Sequence, residues 1–385
     1  MLNAARTLLL TVTLAVLLIT GCDDDDGDGN DAAAPSPAAT AAATTAAGET
    51  TEATPTQVAA TPTAVAATPT AVAATPTAVA ATPTAVAATP TAVAEPQDRT
   101  QYPVTVDVCG VDVTFDAAPT RVIVQEANAL DILLALGLGD RVIGYFGDAP
   151  VLPQNEAAFE ANDIERFGGS WPIPSLEALL DANPDFVWSY GYDESVGNTV
   201  ESQLDAGLGP YAFTEACTGD TRAQDFEQVY AYIREVSEIF DVQDRGAELI
   251  AELEGVLAAA ADRVPEGVEP PSVFLMDFGE GPIFTAARGA APTAMIEAAG
   301  GRNIYGDTQG DAANVWIYAT LEDIVAKDPE AVIIVDYGDR DARIQLLEDS
   351  PVLSGMQAVV DQRYGSIIYG DVIPGLRMFY AVETV

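Results

Sequence analysis

Aromatic and arginine side chains follow several of the apolar segments that the sequence predicts to be β-strands. In an open α/β sheet, ligands bind beyond the carboxyl ends of the strands, where loops from several strands converge. The residues that this rule predicts to face a ligand are Tyr145, Arg166, Trp171, Tyr190, Tyr192, Phe284, Arg288, Trp316, Tyr337 and Arg377. Aromatic rings stack and guanidinium groups bind carboxylates, so this set suits a large chelate with an apolar rim and acidic oxygens. Core packing of the aromatics and surface ion pairs of the arginines are the alternatives.

Histidine, the commonest general base and transition-metal ligand, is absent from all 385 residues. Paired carboxylates are plentiful, but no nucleophile elbow, phosphate-binding loop or metal triad is present in the sequence. We therefore predict a binding protein with no catalytic residues, no cofactor and no metal site. A bare ferric or other metal ion held by tyrosine and carboxylate oxygens is a weaker alternative.

The net charge of −43 comes from 59 acidic residues against 16 basic ones, of which Lys327 is the single lysine. A surface of this sign repels nucleic acids and anionic lipid headgroups, so neither is expected as a partner. Solubility in a salty or extracellular setting accounts for the same charge without any specific partner.

Strands and helices alternate through the folded part, which is predicted to begin near Tyr102. Residues 104–115 alternate around Cys109-Gly110 and predict a small hairpin, and buried strands near 122, 142, 186, 272, 331 and 366 alternate with helices. This pattern is typical of a mainly parallel sheet covered by helices on both faces, and predicts an α/β fold built from Rossmann-like units.

An internal repeat surrounds one long predicted helix. Residues 174–188 and 319–333 match at a constant offset of 145, with Leu176/Leu321, Glu177/Glu322 and Pro184/Pro329 identical. Between the copies, residues 243–264 place apolar side chains at spacings of three and four, as an amphipathic helix does. We predict two related lobes, residues 102–242 and 265–385, joined by a helix at 243–264, with a ligand cleft between the lobes.

The N-terminal residues resemble a bacterial lipoprotein signal. Arg6 precedes an apolar core of about a dozen residues, which is too short to span a bilayer comfortably, and Leu18-Ile-Thr-Gly-Cys22 follows. We expect residues 1–22 to act as an export signal, with lipidation at Cys22; an ordinary cleaved signal peptide is the alternative. Residues 23–101 contain six units based on Thr-Pro-Thr-Ala-Val-Ala-Ala, whose prolines preclude a continuous helix, and predict a disordered tether.

Two cysteines remain once Cys22 is assigned to a lipid anchor. In an oxidising compartment, Cys109 and Cys217 are expected to pair, closing a loop of about 108 residues. Two buried free thiols are the alternative, and a redox-active pair is disfavoured because there is no Cys-x-x-Cys motif.

Residues 102–385 resemble the substrate-binding lipoproteins of ABC importers for ferric siderophores, haem and cobalamin. The segments that carry this resemblance, in order, are Cys109-Gly-Val-Asp-Val-Thr-Phe115, Pro119-Thr-Arg-Val-Ile123, Pro174-Ser-Leu-Glu177, Asn183-Pro-Asp185, Ala298-Ala-Gly-Gly-Arg-Asn-Ile304, Asp328-Pro-Glu-Ala-Val-Ile333 and Pro374-Gly-Leu-Arg377. Each segment alone is weak, but their combination in this order is specific. The resemblance implies two α/β lobes joined by one long helix, which agrees with the repeat and the helix found above.

The resemblance also implies a function. A protein of this kind would be anchored outside the cell membrane and would carry a ferric siderophore to an ABC permease and its ATPase, as a monomer. Trp171 and Tyr192 fall where similar siderophore binders place ligand contacts, and Glu177 and Glu322 fall where similar proteins contact permease arginines. Cobalamin or haem in the same cleft is the alternative ligand. A tethered adhesin or structural module, which would lack a deep cleft, belongs to a different class of protein.

Overall fold

The computed structural model describes residues 99–217, 223–310 and 315–385. The predicted signal sequence, Cys22 and nearly all of the predicted tether lie outside these ranges. The folded part begins slightly earlier than the sequence predicts, because Thr100 already contacts the body of the protein. Its backbone N–H donates to Asp241 and its hydroxyl to the carbonyl of Glu238.

The first lobe contains a five-stranded sheet in the order β5-β4-β3-β6-β7, in which every pair is parallel. Its strands, with the preceding hairpin, are β1 (Val104–Val108), β2 (Val111–Phe115), β3 (Val122–Gln125), β4 (Val142–Phe146), β5 (Glu165–Gly168), β6 (Phe186–Ser189) and β7 (Gly209–Ala212). Its helices are α1 (Ala127–Ala135), α2 (Glu156–Ala161), α3 (Leu176–Asp181), α4 (Val200–Asp205) and α5 (Phe226–Phe240). Every residue of β3 and β6 is buried, as in sheets covered on both faces.

The second lobe follows helix α6 (Gln243–Ala261) and contains a four-stranded parallel sheet in the order β10-β8-β12-β13. Its strands are β8 (Ser272–Met276), β9 (Ile283–Ala286), β10 (Arg302–Asn303), β11 (Trp316–Ala319), β12 (Ala331–Asp336) and β13 (Tyr364–Ile368). Its helices are α7 (Ala291–Ala298), α8 (Leu321–Lys327), α9 (Arg340–Asp349), α10 (Gln357–Val360) and α11 (Leu376–Ala381). Strands β9 and β11 form a separate antiparallel pair. The predicted α/β class with two mainly parallel sheets is confirmed.

The predicted hairpin is formed by β1 and β2, and its two-residue turn is Cys109-Gly110. Both turn residues have positive φ, 54° at Cys109 and 83° at Gly110, as a type I′ turn requires. The sulfur of Cys109 is bonded to Cys217, which lies shortly after β7. The predicted pairing is therefore confirmed in the structure, and it ties the hairpin to the far end of the first lobe.

The sequence repeat corresponds to a repeated helix and strand. Ser175 before α3 and Thr320 before α8 both cap their helices by accepting a hydrogen bond from the N–H three residues later. After each helix, Asn183 and Asp328 adopt positive φ, 51° and 43°. Each copy then enters a central strand of its own parallel sheet, β6 or β12.

A second pair of equivalent residues fixes those strands in their sheets. Asp185, just before β6, accepts hydrogen bonds from the N–H groups of Thr120 and Arg121, which precede β3. Glu330 occupies the equivalent place before β12 and accepts a bond from the N–H of Ser272, where β8 begins. The two lobes therefore share local contacts as well as sequence, and an acidic side chain sets the register of the neighbouring strands in both.

Helix α6 is the long helix predicted between the repeats, and it ends three residues before the predicted boundary. Its buried side is centred on Gly246, Leu249 and Leu253, whereas Ala247, which the predicted apolar stripe includes, is exposed. The shift has a packing cause. A Cβ at Gly246 would lie 2.1 Å from Oγ of Ser237, so the glycine lets α6 approach α5 more closely than a larger residue could.

Packing as well as covalent connection holds the lobes together. The last helix, α11, packs against α1 and α5 of the first lobe and against α6 and α7. Its Phe379 contacts Phe226 and Tyr230 of α5, with ring centroids 4.8 and 5.4 Å apart. One hydrophobic core therefore runs across both sheets. In the part of the chain that the structure describes, no helix combines the length and apolar character needed to cross a bilayer.

Candidate ligand-binding site

A cavity of about 790 Å³ lies where the carboxyl ends of the two parallel sheets face each other. Its wall residues follow β4, β5, β6 and β7 in the first lobe and β8, β12 and β13 in the second, as the strand-end rule predicts. The described residues that line it are Asp148, Trp171, Tyr190, Thr214, Glu215, Cys217, Gln224, Asp277, Phe278, Phe284, Val315, Trp316, Tyr337, Tyr369, Val372 and Ile373. The volume falls in the range that holds a drug-sized or larger organic ligand.

Gln125, the last residue of β3, positions the first-lobe wall. Its amide oxygen accepts hydrogen bonds from the backbone N–H groups of Tyr190 and Gly191, and its amide nitrogen donates to the carbonyl of Ser170. The side chain is buried, so these contacts are made without competition from water. They fix the two loops that carry Tyr190 and Trp171. Trp171 itself is 62% exposed and offers its indole ring to the cavity.

The second-lobe wall is a cluster of aromatic rings on the β9–β11 pair. The rings of Phe284 and Trp316 stack with an interplanar angle of 10° and centroids 5.2 Å apart, and Phe278 packs 4.7 Å from Phe284. Thr285, which follows Phe284 in β9, is buried and donates to the carbonyl of Leu275 in β8. The cluster is therefore held against the parallel sheet and presents flat, apolar surface to a ligand.

Two phenols and a buried carboxyl group form the second-lobe floor. The hydroxyl of Tyr337 donates to Oδ1 of Asp277 at 2.8 Å, and its ring packs 5.5 Å from that of Tyr369. Asp277 is only 3% exposed, and burial raises the pKa of its carboxyl group to about 6, against the opposing effects of the Tyr337 hydrogen bond and Arg343. Burial also raises the pKa of Tyr369 to about 12. These groups are therefore hydrogen-bonding donors and acceptors near neutral pH.

A second buried carboxyl group, Glu126, lies immediately before α1. Its side chain is fully buried and neither oxygen reaches a partner at hydrogen-bonding geometry, while its backbone has a φ of 83°. Burial raises its pKa to about 7; Asp148 raises it further, whereas Ser170, the N–H of Ala127 and Arg377 oppose the shift. Its charge also acts on Tyr190 and Tyr369 of the cavity wall. Sequence gave no signal of this residue's environment.

Five of the ten predicted ligand contacts line the cavity, and they come from both lobes: Trp171, Tyr190, Phe284, Trp316 and Tyr337. Two predicted tyrosines are placed elsewhere. Tyr145 is buried in the core of the first lobe, edge-on to Phe159, and Tyr192 packs against the same core outside the cavity. Tyr145 and Tyr192 therefore pack in the core, which was the alternative to ligand contact for the aromatic residues.

The three predicted arginines do not line the cavity either. Arg166 donates to the carbonyl of Gly147 and pairs with Asp148, while Arg288 donates to the carbonyl of Asp307. Arg377 is buried in an ion pair with Asp131. Each guanidinium group donates to carbonyl or carboxylate oxygens of the protein itself. None of the three arginines is therefore placed to bind a carboxylate of a ligand in this cavity.

Tyr369 is a wall residue that the site prediction omitted. It directly follows β13, which is the position where the strand-end rule places ligand contacts. Thr214, Glu215 and Cys217 were missed because none of the three is an aromatic residue or an arginine, the residue types on which the site prediction was based.

The predicted docking residues, Glu177 and Glu322, lie in the first turns of α3 and α8 and are exposed. Neither makes a hydrogen bond or ion pair within the described residues. Their equivalent positions in the two copies of the repeat place one on each lobe. Contact with a permease stays a prediction.

Residues 122–364 match the family model described as periplasmic binding protein. The chain belongs to the periplasmic binding protein family. The match covers the five strands of the first parallel sheet, α6 and three of the four strands of the second sheet, and ends at the first residue of β13. Family members of this kind bind solutes, so membership agrees with the prediction of a binding protein.

Two curated relatives extend the comparison. An uncharacterised ABC transporter substrate-binding lipoprotein, YvrC of Bacillus subtilis, is 25% identical over 239 residues, covering 61% of this chain and 70% of that protein. A cobalamin-binding protein of Halobacterium salinarum is 29% identical over 241 residues, covering 62% of this chain and 60% of that protein.

Solved structures show the same fold. An ABC-type Fe³⁺-hydroxamate transport protein of Saccharomonospora viridis is 26% identical with a TM-score of 0.62, covering 74% of this chain and 97% of that one. A periplasmic binding protein of Veillonella parvula gives a TM-score of 0.64 at 22% identity, covering 72% and 94%. The two-lobe architecture predicted from sequence is thus shared with known members of the family.

Proposed function

We propose that the protein is the substrate-binding component of an ABC importer and captures a ferric siderophore between its lobes. The observation that carries this proposal is the cavity itself, whose wall joins the strand ends of both sheets and contains seven aromatic residues among its sixteen described lining residues. Rigid aromatic faces suit the apolar rim of a metal chelate, and closure of two lobes around it would remove both from water. The similar Fe³⁺-hydroxamate transport protein supports the same ligand class.

Cobalamin is the second candidate ligand. The relative from Halobacterium salinarum is named for cobalamin binding, and several further relatives are named as vitamin B12-binding proteins. The stacked pair Phe284 and Trp316 would suit the apolar edge of a corrin ring as well as that of a siderophore. Haem is named in other similar structures and belongs to the same group of large planar metal complexes.

Delivery requires a permease and its ATPase, and we infer that the two lobes contact them through Glu177 and Glu322. A permease with two similar halves presents two similar surfaces, and the repeat supplies one exposed glutamate on each lobe. The lipid anchor at Cys22 would keep a monomeric protein at the outer face of the cell membrane. Its Cys22→Ala variant should then be released into the medium, and retention at the membrane would contradict the anchor.

Calorimetric titration of the purified protein tests the ligand class. A ferric trihydroxamate and cyanocobalamin are titrated into wild type, Trp171→Ala and Tyr192→Phe. One of the two probes should bind with a Kd in the micromolar range or below, with roughly ten-fold weaker binding in Trp171→Ala, because that exposed ring lines the cavity. Tyr192→Phe should bind as wild type does. No binding of either probe would overturn the proposed function, and equal loss in both variants would place the site away from this cavity.

A further inference from the structure

The charges around the cavity are unevenly distributed. Among the described residues, no arginine or lysine lines it, whereas Asp148, Glu215 and Asp277 do. This differs from what the sequence predicted, since three arginines were expected to face the ligand. Among the described residues, the wall therefore presents carboxylates, phenols and aromatic rings, and no guanidinium or ammonium group.

Among the described residues, Arg166 contacts Asp148 and Arg343 lies close to Asp277. Arg166 pairs with Asp148 at 2.8 Å and also donates to the carbonyl of Gly147. Arg343 pairs with Asp339 at 2.9 Å, lies over the ring of Tyr337, and donates to the backbone carbonyl of Asp277. Both guanidinium groups are held by the protein, so a negatively charged ligand would have to break these contacts to reach them.

Asp277 is the most deeply buried of the three wall carboxylates. Its side chain accepts a hydrogen bond from Tyr337, and no arginine contacts its carboxylate oxygens within the described residues. It is almost completely buried, so solvent screens its charge weakly. An anion placed in the cavity would be repelled by this charge at close range, and a cation would be attracted.

By sequence, the two segments that flank cavity residues do not contain more basic than acidic residues. Residues 218–222 and 311–314 lie outside the described residues. By sequence they contain two acids, Asp220 and Asp311, against one base, Arg222.

We propose that the cavity selects electroneutral or cationic metal complexes and rejects anionic ones, with Asp277 as the residue that sets this preference. The inference rests on the proposed function and narrows its ligand class. Ferric trihydroxamates, which are neutral or carry one positive charge, and neutral or cationic corrinoids would fit. Trianionic ferric catecholates, polycarboxylate chelates and porphyrins whose propionates enter the cavity would not.

The overall negative charge of the protein also repels anions. The test must therefore distinguish the effect of charge on the cavity wall from the effect of charge on the protein surface. Two variants lose one negative charge each: Asp277→Asn in the cavity, and Glu266→Gln in the exposed turn between α6 and β8. The asparagine keeps an oxygen that can accept the hydrogen bond of Tyr337. Circular dichroism and thermal unfolding check that both variants are folded.

Three probes of increasing negative charge are titrated by calorimetry at low and high salt: ferric desferrioxamine B, which is cationic, cyanocobalamin, which is neutral, and a ferric tris-catecholate. We expect the cationic or neutral probe to bind at least ten-fold more tightly than the catecholate. Asp277→Asn should weaken binding of the cationic probe by about ten-fold or strengthen binding of the anionic probe by a similar factor. Glu266→Gln should change the affinity for either probe by less than about two-fold.

The outcomes separate this inference from the proposed function. If no probe binds, the proposed function fails. If the catecholate binds as tightly as the other probes, the protein is a chelate binder but the charge preference is wrong. If both variants shift affinity equally, the preference comes from net surface charge and Asp277 does not set it.

Discussion

Asp131 of α1 and Arg377 of α11 form an ion pair with an N–O distance of 2.9 Å, in which the two side chains are 0% and 3% exposed. The pair connects the first helix of the first lobe to the last helix of the second. Further hydrogen bonds hold both side chains: Asp131 accepts bonds from Asn155 and the N–H of Leu152, and Arg377 donates to the carbonyl of Pro150, while Nε of Arg377 is buried without a hydrogen-bond partner. Removing one partner would leave a buried charge without its counterion.

Arg377→Ala should therefore lower the free energy of unfolding by about 3 to 5 kcal/mol, measured by urea denaturation. The matched control is Arg263→Ala, because Arg263 pairs with Glu383 near the same end of the chain but both side chains are largely exposed. That change should cost about 1 kcal/mol or less. Similar costs for the two variants would mean that the buried pair is not what joins the lobes.

The role of Arg377 marks the boundary of what the sequence could predict. The alternation of strands and helices, the repeat, the hairpin turn and α6 follow from patterns a few residues long, so their positions were predictable. Whether an arginine faces a ligand or a carbonyl of its own chain depends on loop conformations that no local pattern encodes. Some aromatic residues of the site were easier to predict, because Tyr190 and Tyr337 directly follow buried strands and therefore lie at the sheet edge.

The shifted face of α6 and the burial of Glu126 show the same limit. The apolar period predicted a helix at the right place, but its contact side depends on Gly246 meeting Ser237 of another helix. The duplicated acids Asp185 and Glu330 already lie within the aligned repeat, but they differ in residue type, and the alignment alone does not show that both bind N–H groups of the neighbouring strand.

The Cys109–Cys217 disulfide should contribute substantially to stability, because it closes a loop of 108 residues. On the chain-entropy model, closing a loop of this length raises the free energy of unfolding by about 4 to 5 kcal/mol. The Cys109→Ser, Cys217→Ser double variant should lose that amount in urea denaturation. Reductant should destabilise the wild type similarly and leave the double variant unaffected. Two thiols alkylated in unreduced, folded wild type would show that the bond does not form.

Glu126 should make the stability of the protein depend on pH. Its pKa is raised from 4.5 to about 7 in the folded state, so between these values the folded protein binds more protons than the unfolded chain. The free energy of unfolding should therefore fall as pH rises from about 4.5 to 7, by about 3 kcal/mol from this residue. Asp131, Asp277 and Asp371, whose pKa values are also raised by burial, act in the same direction.

Glu126→Gln isolates this contribution, because the amide stays neutral and has almost the same shape. The groups around the carboxyl are Ser170, the N–H of Ala127, Asp148, Arg377, Tyr190 and Tyr369. Relative to wild type, the variant should gain about 3 kcal/mol more at pH 8 than at pH 5, in urea denaturation at both pH values. A difference between variant and wild type that does not change with pH would show that Glu126 is already ionised, or fully solvated, in the folded protein.

Glu177 and Glu322 should act together in permease contact. They occupy the same position in the two copies of the repeat, in the first turns of α3 and α8. The Glu177→Arg, Glu322→Arg double variant should abolish ligand uptake and stimulation of ATPase activity with the importer reconstituted in liposomes. Ligand affinity measured by calorimetry should be unchanged, because both side chains lie outside the cavity wall.

Acidic residues in a first helical turn are also stabilised by the helix dipole, by about 0.3 to 1 kcal/mol each. Replacing them by arginine removes this stabilisation, so the control variant must replace two acidic residues at the same helical position. Glu201→Arg with Asp341→Arg meets this need, since these exposed acids lie in the first turns of α4 and α9, one in each lobe. The control pair makes the same change in net charge and should transport as wild type does. Normal uptake by the Glu177/Glu322 variant would mean that these glutamates only stabilise their helices; loss of uptake in both double variants would point to net charge instead of two specific contacts.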